Sequence, residues 1–166
     1  KDGGAQSVAI LGGARGTNED AYAWALLAQS LGISNVDAQL DDGLPTSLFG
    51  YAQATIDEAA NATTVLLLSP DLKEELPILY LRLRDASEKK RSKLIEFVPK
   101  QTGLTRYAWK SASYEPGRQV SVIQQTLTDP AVATQIAKGS VVVVVGRSNL
   151  AEDDSFTMAA LDAVLA

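Results

Sequence analysis

The sequence predicts an α/β protein in which helices flank parallel β-sheets in a Rossmann-like arrangement. Two observations indicate this class. Short apolar runs that suit buried strands alternate along the chain with longer segments whose apolar residues recur at intervals of three and four. The final such run, Val141–Val145, is five consecutive valines, a strongly β-forming composition. Regular alternation of strands and helices is typical of parallel sheets joined by right-handed crossovers.

The chain opens with a predicted strand, Ser7–Leu11, that runs into two glycines. Thr17 stands three residues before Asp20, which predicts a capping box at the start of a helix. We therefore expect a strand, a turn and a helix at this end.

One face of the first predicted helix carries Trp24, Leu27, Ala28 and Leu31. This spacing indicates an amphipathic helix, and we expect Trp24 to lie in the core. Gly32 is a favourable residue for ending the helix.

The middle of the chain begins with a connector, residues 33–51, that is rich in Gly, Asp, Ser and Pro and is predicted to be irregular. The elements expected after it are a helix over 52–60, a strand over Thr64–Leu68, a helix over 74–90 and a strand over Lys93–Val98. Pro77 fits the first turn of the longer helix.

The last third is predicted to start with an edge strand over Leu104–Trp109, because Tyr107 and Trp109 alternate with polar neighbours. Two helices are expected next, over 119–127 and 131–138. Val141–Val145 is expected to be a strand buried on both faces, and a last helix follows it.

The two ends of the chain resemble each other. Val8–Gly13 leads to Arg15, and Val141–Gly146 leads to Arg147. Like units of this kind suggest neighbouring strands, so we predict a discontinuous first lobe of residues 1–46 plus 139–166 and an inserted second lobe of residues 47–138. The abrupt start on a strand favours a fragment of a longer protein.

Composition excludes several classes of function. With 15 Lys and Arg against 20 Asp and Glu, the 166-residue chain has a net charge of −5 and lacks the basic stripe of a nucleic-acid binder. It contains no Cys and no His, which excludes thiolate-held clusters, Cys/His zinc sites, and catalysis by a His base or a Cys nucleophile. The apolar runs are too short to span a membrane, so we expect no direct membrane insertion.

Two glycine-containing turns are candidate anion-binding loops. Gly13, Arg15 and Thr17 follow the first strand, and Gly146 and Arg147 follow the valine strand. Backbone N–H groups at a helix start and a nearby arginine suit a phosphate. The spacing matches neither a dinucleotide fingerprint nor a P-loop, so plain tight turns are the favoured interpretation. Capping explains the acidic residues at helix starts, and we assign no catalytic residue and no metal ligand.

Two segments, Gly16–Tyr22 and Leu31–Asp37, carry a resemblance to a known family. They are similar to the Thr-Asn-Glu-Glu-x-Tyr and Leu-Gly-Thr-Asn-Asn-Val-Asp signatures of the formate-dehydrogenase-like molybdopterin oxidoreductases. The branch most resembled is the 75 kDa-type G subunit of NADH-quinone oxidoreductase (respiratory complex I). Further matching segments follow in family order: Leu66–Pro70, Leu76–Leu79, Leu94–Lys100 and Val141–Asn149.

The resemblance implies two small α/β lobes of that fold, between which the family's active enzymes hold a molybdopterin guanine dinucleotide. The family pattern has an Asn before one Pro, an acid before the next Pro, and then an Arg. Here Ser69, Val98 and Lys100 stand at those positions. Loss of an acceptor from buried donors costs ~1–3 kcal/mol, so we expect no molybdopterin and no cofactor in this fragment.

In function, the resemblance implies a scaffold region of a respiratory NADH-quinone oxidoreductase, itself without catalytic residues. Electrons would pass from NADH to quinone through iron–sulfur clusters elsewhere in the parent protein. The implied partners are the other complex I subunits, especially the cluster-bearing part of the same parent protein, in the peripheral arm on the cytoplasmic side of the bacterial inner membrane. The alternatives are a nucleotide-binding domain with Arg15 and Arg147 on phosphates, or part of a true molybdopterin enzyme.

Overall fold

The structure, a computed structural model, describes residues 3–13, 16–37, 44–147 and 153–166. Its strands are β1 (Ala9–Leu11), β2 (Asn35–Asp37), β3 (Thr64–Leu68), β4 (Lys93–Val98), β5 (Lys110–Ser113) and β6 (Val141–Val145). Its α-helices are α1 (Asn18–Leu31), α2 (Ile56–Asn61), α3 (Leu72–Glu75), α4 (Pro77–Glu88), α5 (Gln119–Leu127), α6 (Pro130–Ile136) and α7 (Asp154–Leu165). The predicted class is confirmed: parallel sheets are flanked by helices. The chain divides into two compact units, Lys1–Asp42 and Gly43–Ala166.

The first unit is a parallel pair, β1 and β2, with α1 between them in sequence. The capping box at Thr17 and Asp20 is present, as predicted. Gly32 ends α1 in the left-handed conformation with a φ of 66°, which a glycine adopts without the strain that a Cβ would add. The strand β2 lies in the segment that the composition predicted to be irregular.

The apolar face predicted for α1 is not buried, and the prediction that Trp24 lies in the core is wrong. Trp24 is 50% exposed, Leu27 41% and Leu31 56%, whereas Ala28 is buried. The sheet of this unit has two strands of three residues each, which is too small an area to cover a 14-residue helix.

The second unit contains a four-stranded parallel sheet in the order β5-β4-β3-β6. Its central strand β3 is buried at every residue. Successive side chains of a strand point to opposite faces. Accordingly, Val65 and Leu67 pack in one apolar cluster, whereas Leu66 and Leu68 pack in another.

Helices cover both faces of this sheet. In the first cluster, Leu79 and Leu83 of α4 pack with the strands. In the second, α5, α6 and α7 contribute Ile123, Val132 and Ala160. Burial of one sheet between two helical layers explains why β3 and β4 are apolar along most of their length.

The strand β6 lies in a different compact unit from the one that the sequence predicted. This strand pairs with β3, with Thr64 opposite Val141, so residues 139–166 lie in the same compact unit as residues 47–138. The predicted pairing of β6 beside the N-terminal strand is therefore wrong. As an edge strand, β6 is also only partly buried. Residue type indicates that a run forms a strand but does not specify its neighbour.

Two other elements differ from prediction. The helix expected over 74–90 is divided into α3 and α4, with Pro77 at the first position of α4. The edge strand expected over Leu104–Trp109 is wrong, because Thr105–Tyr107 forms a 3-10 turn and the edge strand is β5. The Trp109 ring lies under the Lys93 ammonium, 4.1 Å from its centroid, which accounts for this aromatic position.

Candidate functional site

The carboxyl ends of the parallel strands meet at one edge of the larger sheet. From β3 the chain passes to β4 and then β5 in one direction, and β6 then lies on the other side of β3. Open parallel sheets bind ligands where the strand order reverses, beyond the carboxyl ends. The end of β3 at Leu68 and the end of β6 at Val145 are therefore the candidate site.

Gly146 closes the gap between these two strand ends. Its N–H donates a hydrogen bond of 2.7 Å to the carbonyl of Leu68. A Cβ at this position would lie 2.7 Å from Cδ of Pro70 and 3.4 Å from Ser69. The glycine therefore allows close contact between two segments of the protein, and its N–H is not available to an anion.

Arg147 is next to this contact and belongs to an electrostatic network within the fold. The Ser155 hydroxyl donates to the Asp153 carboxylate at 2.6 Å. That hydrogen bond, together with backbone N–H groups and the charge of Arg147, lowers the pKa of Asp153. The predicted anion-binding arginine of this turn thus has an acidic neighbour that competes for its charge.

The cavity that Ser69 and Val98 line at the ends of β3 and β4 is small. Its volume is about 10 Å³, and its lining also includes Pro70 and Glu96. This volume accommodates about one water molecule. Ser69 is 4% exposed and Val98 3% exposed, so the positions at which the family pattern has an amide and an acid are covered by protein.

Glu96 is a buried carboxylate that the sequence analysis did not single out. It is 1% exposed and accepts hydrogen bonds from Thr102 at 3.0 Å and Ser111 at 2.7 Å. Both donors are neutral hydroxyl groups. The signal that could have identified Glu96 is its position, since it is an acidic residue within the apolar run of β4. Because both carboxylate oxygens have partners inside the fold, the arrangement ties the strand to its neighbours and leaves the group inaccessible to a substrate.

The N-terminal turn uses its predicted residues for capping. Thr17 donates its backbone N–H to the Asp20 carboxylate at 2.8 Å and accepts from the N–H of Asp20 at 3.2 Å. A carboxylate of the protein therefore occupies this helix start. A Cβ on Gly13 would meet nothing within 4 Å, so no close approach requires glycine there. Arg15 lies outside the described residues.

Metal ligands are not grouped in the described part of the chain, where no cluster of three or more acidic side chains is suited to hold an ion. Within the same residues, no helix combines the length and apolar character needed to cross a membrane.

Comparison with known proteins identifies oxidoreductase subunits as relatives. No family model matches the chain. Over 129 residues it is 32% identical to the alpha subunit of the NADPH-Fe(3+) oxidoreductase of Geobacter sulfurreducens, covering 72% of this chain and 15% of that protein. Over 147 residues it is 31% identical to the G subunit of the NADH-quinone oxidoreductase of Mycobacterium bovis and Mycobacterium tuberculosis, covering 82% of this chain and 18% of those proteins.

These similarities confirm the resemblance to the G subunit of NADH-quinone oxidoreductase that the sequence motifs indicated. They also place the chain in an oxidoreductase context. The chain spans less than a fifth of the length of the curated relatives it matches.

Proposed function

Because this chain is similar to one segment of the G subunit of NADH-quinone oxidoreductase, we propose that it is a scaffold region of an oxidoreductase, with no catalytic residue of its own. In this proposal it supports the part of the parent protein that carries iron–sulfur clusters between NADH and quinone. Its partners are that cluster-bearing part and the other subunits of a peripheral arm at the cytoplasmic side of a bacterial inner membrane.

The contact of Gly146 between the ends of β3 and β6 is the observation that carries the proposal. Enzymes built on parallel sheets use this edge for substrate and cofactor. Here Gly146 uses its N–H on Leu68 and packs against Pro70, so this N–H is not available to a ligand. A strand-end contact that uses its own polar groups within the fold is suited to support neighbouring structure.

Two positions at this edge lack the groups that the family pattern directs at a molybdopterin nucleotide. The family pattern directs an amide and an acid at the cofactor from two positions, whereas Ser69 and Val98 stand there, are buried, and line a cavity of only about 10 Å³. We therefore propose that the chain holds no molybdenum cofactor. The iron–sulfur clusters belong to other parts of the parent, because this chain has no cysteine to ligate them.

Activity per assembled enzyme, measured separately from the amount of enzyme assembled, tests the scaffold role. In the complete parent enzyme, Ser69→Ala and Lys100→Ala remove polar groups from the strand ends. A scaffold predicts unchanged NADH-dependent quinone reduction per assembled complex for both. Phe97→Ala, in the core of the same sheet, is expected to reduce the amount of complex and leave the turnover of each surviving complex unchanged.

Two outcomes of these experiments would contradict the scaffold role. A loss of turnover of about tenfold, or ~1.4 kcal/mol of transition-state free energy, in the strand-end variants at unchanged iron content and complex yield would overturn the scaffold role. Thermal stabilisation by NADH, GTP or molybdopterin guanine dinucleotide that Ser69→Ala abolishes would instead support a nucleotide- or pterin-binding domain.

A further inference from the structure

A cationic cavity is lined by residues other than those of the contact between the ends of β3 and β6. It has a volume of about 450 Å³ and is lined by residues of α3, of α4 and of the loop over residues 101–107. Lys73, Arg84 and Arg106 contribute three positive charges, and Tyr80 and Tyr107 contribute aromatic rings. Among the described residues, none of those lining this cavity is acidic.

The loop that forms one wall is fixed by hydrogen bonds to carboxylates. Asp71 accepts the N–H of Gly103 at 3.0 and 3.1 Å, and Glu96 accepts the hydroxyl of Thr102 at 3.0 Å. A Cβ on Gly103 would lie 3.0 Å from Cβ of Lys73, so glycine permits the close packing of loop and helix. These two carboxylates stabilise the wall from within the fold.

The two arginines are arranged around one aromatic ring. The guanidinium carbon of Arg106 lies 4.7 Å from the centroid of the Tyr107 ring, and that of Arg84 lies 6.0 Å from it. Arg106 also donates to the Tyr107 hydroxyl. Nε of Arg84 is buried without a hydrogen-bond partner, and its ion-pair contact with Glu88 is 3.7 Å long. A side-chain hydrogen bond with Tyr80 raises the pKa of Arg84. Both arginines are therefore held beside tyrosine rings that line the cavity.

We propose that this cavity binds a phosphorylated small molecule, with the phosphate on Lys73, Arg84 and Arg106 and the organic part along the tyrosine rings. Guanidinium groups present paired donors that match phosphate oxygens. The protein as a whole repels anions because its net charge is −5. An anion is attracted only where positive side chains are clustered, as the three cations of this cavity are. The volume exceeds that of one phosphate, which leaves room for an organic group.

Calorimetric titration of the full chain with inorganic phosphate and with phenyl phosphate, at constant ionic strength, tests this site. We expect saturable binding of phenyl phosphate with a Kd below about 1 mM. Arg106→Gln is expected to weaken it by about tenfold, because a charge-assisted hydrogen bond is lost. Arg118→Gln removes the same charge from an exposed position outside the cavity and is the matched control.

The two probes distinguish a site for the free phosphate ion from a site for a phosphate attached to an organic group. Tighter binding of phenyl phosphate supports a phosphorylated organic ligand that contacts the tyrosines, whereas equal binding of both probes supports the anion site but overturns the organic part of the proposal. Equal loss of affinity in Arg106→Gln and Arg118→Gln would overturn the site, because it would reflect net charge alone. Circular dichroism of each variant confirms that the fold is retained, and Lys73→Gln provides a second variant.

Discussion

The same helical spacing of apolar residues gives buried side chains in one compact unit of this protein and exposed side chains in the other. In α4, apolar residues at intervals of three and four are buried, with Leu83 and Ala86 at 0% exposure. In α1, the same spacing places Trp24 and Leu31 at 50% and 56% exposure. The difference lies in the surface available: α4 packs on a four-stranded sheet, whereas the unit of α1 has only a two-stranded one.

Helical periodicity therefore predicts which side chains share a face, and a covering surface of sufficient area decides whether that face is buried. A free energy of about 25 cal/mol is gained for each Å² of apolar surface removed from water. We expect substitutions in the larger unit to affect stability strongly and equivalent substitutions in the smaller unit to affect it weakly.

The largest expected contrast is between the core phenylalanine of β4 and the tryptophan of α1. Phe97→Ala leaves a cavity in a fully buried site and should lower the free energy of unfolding by ~3–5 kcal/mol. Trp24→Ala, at a half-exposed site, should lower it by less than ~1 kcal/mol. Urea denaturation followed by circular dichroism measures both. Equal losses would show that the face of α1 is buried in solution.

Glycine substitutions compare the two turns that were predicted as anion loops. Gly146→Ala introduces a methyl group 2.7 Å from Pro70 and should destabilise the protein by ~1–3 kcal/mol. Gly13→Ala meets no atom within 4 Å and should change stability by less than ~0.5 kcal/mol. Thermal unfolding of the two variants provides the measurement. A neutral Gly146→Ala would contradict the close contact between the ends of β3 and β6.

Capping substitutions provide a finer comparison, because α1 and α2 both begin with a capping box. Thr55→Ala should lower the global unfolding free energy by ~1 kcal/mol, since α2 buries Ala59 and Ala60. Thr17→Ala should act mainly on α1, where faster amide hydrogen exchange in its first turn would report local opening. Loss of protection throughout the chain in Thr17→Ala would contradict a local role for this cap.

The smallest expected effect concerns pH and an ion pair of the larger unit. The hydrogen bond from Lys110, with the N–H of Ala131, lowers the pKa of Asp129 below its ordinary value of 3.8. The stabilisation is therefore present above that value and is lost as the pH falls through the lower pKa of the folded state. Asp129→Asn should reduce stability at pH 7 and flatten its acid dependence below about pH 4. Denaturation midpoints at pH 7 and pH 3 test this, and an unchanged acid dependence would show that the pair is absent in solution.

Local signals were sufficient to predict most elements. Capping residues and Gly32 marked the ends of α1, and apolar runs marked β3, β4 and β6. Each of these features depends on neighbours within a few residues. The predictions that failed concerned distant contacts: the partner of β6, the burial of Trp24, and the edge strand, which is formed by Lys110–Ser113.

The candidate sites were predictable to a smaller extent. Gly146 was singled out for its position after a strand, but its packing against Pro70 depends on a segment far away in sequence. The cationic cavity was not predicted for the same reason. Lys73, Arg84 and Arg106 are far apart in sequence, and they line one cavity only because the loop packs on the helices. Charge alone does not reveal a cavity.

The pairing of β3 with β6 has a consequence for biosynthesis. The N–H of Thr63 bonds to the hydroxyl of Ser140 across 77 residues of sequence, at the point where the two strands begin to pair. Ribosomes add about 5–20 residues per second, so β3 emerges roughly 4–15 s before its edge partner is made. During that interval the edge of β3 that later pairs with β6 has no partner strand, and unpaired strand edges of this kind are prone to aggregate.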